Sequence, residues 1–241
     1  MSKAEIIFTD LDLDGCCSYL AYCWLTQTKP KAITIKVSSL REKFLAWLKR
    51  NKLSDYKTVY FFDLDTTEIK DLIDKKNVTI FDHHKSHEEK YKNATTIIDK
   101  ECTSCSKLIY RHYKVNANLT NEQKKLIAFA NDYDCYELKF PESNKLNFLF
   151  WYKNGDKLQN FITDFESGFH GFTNDNNDCD VCLMINLKNN RVYLRKNRKT
   201  DLNLGKFAQK VCDGGGHEYA AGGVLNENVL ALSKKFTPIN G

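Results

Sequence analysis

The sequence predicts an α/β protein, with an N-terminal domain built on a parallel sheet and a smaller C-terminal α+β domain. Short apolar runs alternate with helical segments through residues 1–140, which is typical of βαβ units in a parallel sheet. From residue 172 onward, a strand pair, a helix and a glycine triplet follow one another without that alternation. We therefore assign residues 1–140 to the first domain, 141–171 to a connector and 172–241 to the second domain.

The first domain is predicted from apolar runs that have the length of strands, at residues 5–9, 32–37, 58–62 and 77–81. Helices are expected between and after these runs, at residues 16–25, 42–52, 68–75, 103–113 and 121–131. Thr120 precedes the last helix and Gln123 follows three residues later, which is a capping-box pattern. The connector is rich in aromatic residues and is expected to contain some helix.

The second domain is predicted to open with a hairpin of residues 180–187 and 191–195. Asn189 and Asn190 stand between the two strands and are favourable turn residues. A helix at about residues 202–211 leads into the glycine triplet Gly214-Gly215-Gly216.

Composition excludes several classes of protein. The chain of 241 residues is 42% hydrophobic with a net charge of +5, which indicates a globular, mildly basic protein. It has no apolar run long enough to span a bilayer and no signal-peptide pattern at Met1, so we expect a cytoplasmic protein with no membrane contact. Its nine cysteines are expected to be reduced, since the number is odd. The pairs Cys102/Cys105 and Cys179/Cys182 lie too far apart in sequence to favour a structural zinc site.

Acidic residues follow three of the predicted strands at the point where each strand ends. They are Asp10, Asp12 and Asp14 after the first strand, Asp63 and Asp65 after the third, and Asp82 with His83 and His84 after the fourth. If the strands are parallel, these clusters meet at the carboxyl edge of the sheet, where open α/β folds bind ligands. So many like charges would repel one another unless cations neutralised them. Carboxylates with imidazoles suit Mn²⁺, with Mg²⁺, Zn²⁺ or Co²⁺ as alternatives.

The same residues resemble the motifs of a known family. The run Asp10-Leu11-Asp12-Leu13-Asp14-Gly15 resembles the first motif of the DHH phosphoesterases, in the form found in RecJ-like nucleases. Asp63 is similar to the second motif, Asp82-His83-His84 to the triplet that names the family, and Asp132 to the fourth motif. Gly214-Gly215-Gly216-His217 resembles the signature of the DHH-associated C-terminal domain. The resemblance covers nearly the whole chain, with the motifs in the family's order.

The resemblance implies a centre that binds two divalent metal ions. One ion would be held by Asp10, Asp12 and Asp63, and the other by Asp14, Asp63, His83 and Asp132, with Asp63 bridging them. Asp82 would orient the adjacent imidazoles, and His84 would contact the scissile phosphate or help the leaving oxygen depart. Asp65 and Asp134 each lie two residues after an implied ligand and could be caps or outer groups instead.

The glycine triplet is a candidate phosphate site, because glycines let backbone amides approach an anion closely. The resemblance implies that this loop, with His217, grips a nucleotide across a cleft from the metals. Arg195 is the implied phosphate clamp, since a guanidinium can bind phosphate bidentately. Lys196, Arg198 and Lys199 are expected to be solvated.

The predicted function is that of a two-metal phosphodiesterase that hydrolyses short oligonucleotides and releases nucleoside monophosphates, as nanoRNase-like members of the family do. Cleavage of cyclic or linear dinucleotides and RecJ-like degradation of single-stranded DNA stay open. So do a non-catalytic nucleotide-binding module and a haloacid-dehalogenase-like phosphatase, in which Asp63 would be the nucleophile and Asp65 the acid. The expected partner is short RNA or another small nucleotide, and a homodimer is left open.

Overall fold

A computed structural model of the chain describes residues 3–87, 90–115, 118–153, 155–172, 181–187, 189–196 and 200–233. The chain forms two compact units, Met1–His170 and Gly171–Gly241, and each is described by itself. In the parts of the chain described, no helix is both long and apolar enough to cross a bilayer. Cys179, Arg198 and Lys199 lie outside the described residues.

The first unit contains a five-stranded parallel sheet with the order β2-β1-β3-β4-β5. The strands are β1 (Glu5–Asp10), β2 (Lys31–Ile35), β3 (Thr58–Phe62), β4 (Val78–Asp82) and β5 (Thr95–Ile98). The predicted α/β class and the parallel sheet are confirmed, and β5 is an additional edge strand. The strand order reverses between β1 and β3, and this is where doubly wound sheets bind ligands.

The first unit also contains seven α-helices within its described residues. They are α1 (Leu13–Thr26), α2 (Leu40–Leu48), α3 (Lys70–Ile73), α4 (Cys105–Tyr113), α5 (Asn121–Asp134), α6 (Pro141–Tyr152) and α7 (Lys157–Phe165). The predicted capping box of α5 is present, with Thr120 and Gln123 each accepting from the other's backbone N–H.

The connector region folds as two helices, α6 and α7, which belong to the first compact unit. The indole Nε1 of Trp24, on the buried helix α1, donates to the carbonyl of Glu166 just beyond α7 at 2.7 Å. Lys29, beyond the end of α1, also forms an ion pair with the Glu166 side chain. These contacts fasten α7 to α1.

An aromatic cluster fixes the two central strands. Phe8 of β1 stacks on Phe61 of β3 with 5.1 Å between ring centroids. Phe44 and Trp47 of α2 meet the Phe8 ring edge-on at 5.3 and 5.0 Å. Burial of an aromatic side chain stabilises the fold by about 1.5–3 kcal/mol, and each edge-on pair adds about 0.5–1.5 kcal/mol. The ends of β1 and β3, which carry acidic clusters, are therefore held on a firm core.

The second unit is an α+β domain with a four-stranded antiparallel sheet, ordered β6-β7-β9-β8. Its strands are β6 (Val181–Asn186), β7 (Arg191–Lys196), β8 (Gly215–Gly216) and β9 (Ala220–Val224), and its helices are α8 (Leu204–Val211) and α9 (Glu227–Ser233). The predicted hairpin is confirmed, since β6 and β7 pair in register around a turn in which Asn190 adopts a left-handed φ of 54°.

Candidate metal centre

The strand register brings the three acidic clusters to one edge of the sheet. Thr9 of β1 pairs with Phe62 of β3, and Phe62 pairs with Phe81 of β4. The next residues along these strands are Asp10, Asp63 and Asp82. All three therefore lie at the carboxyl edge, as the alternation of apolar runs and acidic ends predicted.

The first motif forms the turn from β1 into α1. Asp12 is the N-cap of α1, and its Oδ1 accepts from the backbone N–H of Gly15 at 2.8 Å. A Cβ atom at Gly15 would collide with the backbone carbonyl of Asp10, so only glycine fits this close approach. The capping bond and the glycine together hold Asp10 and Asp12 at the end of β1.

Asp14 points inward and is bound by the start of another helix. Its carboxylate accepts from the backbone N–H groups of Cys105 at 2.6 Å and Ser106 at 3.2 Å, and from the Ser106 hydroxyl. Both residues begin α4, and a helix N-terminus stabilises a negative charge. The motif is thus tied to α4, a contact that no sequence pattern indicated.

One imidazole nitrogen lies among three carboxylates. His83 Nε2 is 3.1 Å from Asp63 Oδ1, 3.3 Å from Asp134 Oδ2 and 4.0 Å from Asp14 Oδ2. Asp63 itself has a left-handed φ of 58°, a conformation uncommon outside glycine that aspartate tolerates better than most residues. Among the residues that the structure describes, two groups of donor atoms are close enough to hold an ion, namely Asp63 with His83 and His84, and Asp14 with His83 and Asp134.

The carboxylates of this cluster are unfavourable as anions unless a cation binds beside them. Burial, reinforced by Asp10 and Asp14, raises the pKa of Asp12 to about 7. Burial and the neighbouring aspartates raise the pKa of Asp134 to about 8 and that of Asp63 well above its usual range. Divalent ions would offset both the desolvation and the repulsion, and carboxylates with one imidazole are a donor set that suits Mn²⁺ or Mg²⁺. The residues present therefore fit the metals that the sequence predicted.

The fourth motif contains two aspartates, Asp132 and Asp134, whose carboxylates have different partners. The two oxygens of Asp132 accept from the backbone N–H groups of Lys139 at 2.9 Å and Phe140 at 3.1 Å, so this buried carboxylate fixes the loop after α5. Asp134 instead points at His83. The two residues lie two positions apart on the helix and face about 200° away from each other. The metal ligand expected at Asp132 stays a prediction, and Asp134 is the carboxylate of this motif that lies beside His83.

Asp82 receives hydrogen bonds from two histidines. Its Oδ1 accepts from His84 Nδ1 at 2.6 Å, and its Oδ2 accepts from His87 Nδ1. Burial alone would raise the pKa of Asp82, but the two imidazole donors hold that pKa below its usual range. The hydrogen bond to Asp82 also raises the pKa of His84 to about 9. Sequence reasoning missed His87, because a single histidine after the triplet carries no pattern of its own.

Asp65 acts as a local cap. Its oxygens accept from the backbone N–H of Thr67 at 3.0 Å and from the Ser86 hydroxyl at 2.6 Å. These bonds lower its pKa despite partial burial, which suits an anion rather than the general acid of a haloacid-dehalogenase-like phosphatase. Of the two positions left open by the sequence, Asp65 is a cap and Asp134 joins the cluster.

The glycine triplet of the second unit packs tightly against its own sheet. Gly214 N–H donates to Ala208 O at 3.3 Å, and His217 N–H donates to Ala220 O at 2.8 Å. These two amides therefore form hydrogen bonds inside the unit. The phosphate site expected at the triplet stays a prediction. Gly215 faces open space, whereas a Cβ at Gly216 would meet Ala220 O at 2.5 Å. His217 is exposed.

The basic residues at the end of β7 also have distinct surroundings. Arg195 is half-buried and donates from Nη1 to the carbonyl of Leu194 at 2.8 Å. Lys196, which was expected to be solvated, has a side chain only 1% exposed. Its Nζ donates to Thr200 O at 2.9 Å and Glu218 Oε1 at 3.1 Å, and it lies 4.7 Å from the centre of the Tyr219 ring. Lys196 thus anchors the segment that follows His217.

Several solved structures resemble the chain. A pGpG-specific phosphodiesterase from Vibrio cholerae is 13% identical with a TM-score of 0.47, and 97% of each chain is covered. An exopolyphosphatase-related protein from Bacteroides fragilis is 14% identical with a TM-score of 0.41, covering 97% of this chain and 91% of that one. RecJ from Thermus thermophilus, in complex with Mn²⁺, is 12% identical with a TM-score of 0.37, and the match covers 98% of this chain but 53% of RecJ.

No curated protein sequence matches the chain significantly. The family model described as the DHH family, N-terminal domain, matches residues 5–132. That match covers more than half of the chain and contains the three acidic clusters that β1, β3 and β4 bring together. The protein belongs to the DHH family.

Proposed function

We propose that this protein is a two-metal-dependent phosphodiesterase that hydrolyses short oligonucleotides and releases nucleoside monophosphates. The observation that carries the proposal is the convergence of buried carboxylates around His83 at the carboxyl edge of the sheet. The raised pKa values of Asp12, Asp63 and Asp134 mark a group of charges that is unfavourable without cations. Membership of the DHH family supports the same chemistry.

The proposed metal ligands are those that the sequence implied, except that Asp134 replaces Asp132. Asp10, Asp12 and Asp63 would hold one ion, and the second would be held by Asp14, Asp63, His83 and Asp134. Two bound divalent ions would lower the pKa of a water molecule and offset the charge that develops on the reacting phosphate. Asp63 is the shared ligand in this assignment, since it is buried and lies beside His83.

We assign His84 to the phosphate. Asp82 fixes its Nδ1, so its Nε2 is the atom left to contact substrate. With a pKa of about 9 the imidazole is protonated at neutral pH. It can then donate a hydrogen bond to a phosphate oxygen or a proton to the leaving oxygen. Asp82 is the positioning residue in this scheme.

In the second unit, we propose Arg195 and His217 as substrate-binding residues. The guanidinium needs only to exchange its bond to its own strand for a phosphate, which it can bind bidentately. His217 is exposed and follows the glycines, and Gly215 leaves room for a close approach. The proposed contribution of the glycines is the room beside Gly215, since Gly215 and Gly216 themselves pair with Gly222 and Ala221 of β9.

The test incubates the protein and Mn²⁺ with end-labelled RNA of about two to five nucleotides. A single-stranded DNA of about 20 nucleotides and a cyclic dinucleotide are assayed in parallel. We expect release of mononucleotides from the short RNA and its loss in Asp63→Asn, which keeps the shape of the buried side chain. Preference for the DNA would indicate a RecJ-like exonuclease, and preference for the cyclic substrate a dinucleotide phosphodiesterase. Binding of nucleotides without metal-dependent hydrolysis of any substrate would contradict the proposal.

A further inference from the structure

Behind the triplet Asp82-His83-His84 lies a buried hydrogen-bond network. The His87 side chain is 0% exposed, and its Nδ1 donates to Asp82 Oδ2. On the other side of the ring, His87 Nε2 is 3.0 Å from Thr66 Oγ1 and 3.2 Å from the Tyr91 hydroxyl. Those two hydroxyl groups are themselves 2.8 Å apart. The network therefore continues from His84 through Asp82 to His87 and on to Thr66 and Tyr91.

The proton positions in this network follow from its members. An ionised carboxylate only accepts hydrogen bonds, so His87 must carry a proton on Nδ1. Its Nε2 can then accept from the Thr66 hydroxyl, whose oxygen in turn can accept from the Tyr91 hydroxyl. Each donor and acceptor of this chain of hydrogen bonds then has a partner. The same accounting puts a proton on Nδ1 of His84, because its partner is the other oxygen of Asp82.

The network joins two loops of the proposed active site. Thr66 lies three residues after Asp63, and His87 lies three residues after His84 in a turn closed by the bond from His87 N to His84 O at 3.2 Å. The bonds from His87 to Thr66 and to Asp82 therefore fix the loop after β3 against the loop after β4. A carboxylate held at one oxygen can rotate, whereas Asp82 is held at both.

We propose that His87 is a positioning residue for the hydrolysis: it holds Asp82 in place, and Asp82 thereby keeps the His84 ring in one orientation with Nε2 available to the phosphate. The catalytic part of this inference rests on the proposed function, but the hydrogen bonding does not. Carboxylates that orient active-site imidazoles are themselves held by further hydrogen bonds, and loss of such partners typically costs about 10- to 100-fold in activity. Thr66 and Tyr91 would support His87 from behind.

The variants separate positioning from packing. His87→Leu fills the space but removes the donor to Asp82. His87→Asn is smaller, yet its side-chain amide can reproduce the Nδ1 donor. We expect kcat on the preferred substrate to fall about 10- to 100-fold in His87→Leu, with KM nearly unchanged, and to recover by a large part in His87→Asn. A merely structural role would give the reverse order, since the smaller side chain leaves a cavity.

A second readout needs neither metal nor turnover. In metal-free protein labelled with ¹⁵N-histidine, the Nδ1 protons of His84 and His87 should give slowly exchanging signals far downfield. The His84 signal should persist in His87→Asn and be lost or shifted in His87→Leu. If His87→Leu does not fold, Thr66→Val carries the test, because it removes the bond to Nε2 and should broaden both signals.

Two results in folded His87→Leu would overturn the inference: an unchanged His84 signal, or a kcat equal to that of the wild type. If His87→Leu does not fold, the same two results in Thr66→Val would overturn it. If the wild-type protein hydrolyses none of the substrates, the proposed function fails. The His84 signal then still decides whether His87 positions the imidazole.

Discussion

Individual residues in this protein acquire their roles from the direction in which the backbone points them. Asp132 and Asp134 have the same chemistry and lie two positions apart on α5, but one carboxylate binds the loop at Lys139 and the other faces His83. Sequence spacing could not assign them, since the phase of the helix relative to the sheet is set by packing. The capping role of Asp12 at the start of α1 was not predicted, because this residue was considered from the sequence only as a metal ligand.

The proposal that Asp134, rather than Asp132, is a metal ligand is testable with a matched pair of variants. We expect Asp134→Asn to weaken Mn²⁺ binding by about 10-fold or more and to leave the stability of the metal-free protein unchanged or higher, because one of several repelling carboxylates is removed. Asp132→Asn should lower the free energy of unfolding by about 1–3 kcal/mol, since it disturbs two buried backbone donors, and retain Mn²⁺ binding. Calorimetric titration and thermal unfolding measure the two effects. Equal loss of Mn²⁺ affinity in both variants would contradict the assignment.

At the scale of elements, the sequence predicted helices and strands correctly wherever the local pattern was strong. The apolar runs before the acidic clusters became β1, β3 and β4, and the capping box before α5 formed as predicted. The strand β5 was missed, because Thr95–Ile98 is short and lies at the sheet edge. Some helix was expected in the connector, but the bounds of α6 were not predicted, since its apolar and aromatic residues form no clear helical stripe in the sequence.

The glycine triplet offers a second matched pair. A Cβ at Gly215 meets nothing within 4 Å, whereas Gly216 has a φ of 142° and no room beside Ala220. We therefore expect Gly216→Ala to destabilise the second unit by about 1–3 kcal/mol. Gly215→Ala should leave the melting temperature unchanged and raise KM for the oligonucleotide, if the proposed approach of a phosphate is correct. Thermal unfolding and steady-state kinetics test the pair, and a Gly215→Ala protein with unchanged KM would remove this residue from the binding site.

At the scale of the whole molecule, the sequence predicted the α/β class, the parallel sheet and the family. These features depend on repeated patterns along the chain, and many independent positions agree on them. The boundary between the compact units, at His170 and Gly171, depends on side-chain contacts such as the one from Trp24 to Glu166. Residues distant in sequence decide such contacts. The cleft expected between the two domains stays a prediction.

All proposed metal ligands lie in the first unit, which predicts a local response to metal. Addition of Mn²⁺ to the metal-free protein should slow hydrogen exchange at the ends of β1, β3 and β4 and at the start of α4, where Cys105 and Ser106 bind Asp14. The reason is that a ligand stabilises only the state that binds it. Exchange in residues 200–233 should stay unchanged, as measured by mass spectrometry. Protection of the glycine triplet by Mn²⁺ alone would count against the assignment of ligands.

The bond from Asp14 to Cys105 spans 91 residues, and His83 meets Asp63 across 20. Such long loops must close before the cluster exists, and their closure makes parallel-sheet proteins slow to fold. Because the proposed ligands come together only through these loop closures, we expect a metal ion to bind the folded chain. A metal ion bound to the folded protein would slow unfolding and so lengthen the lifetime of the native state. It would change the rate of folding little.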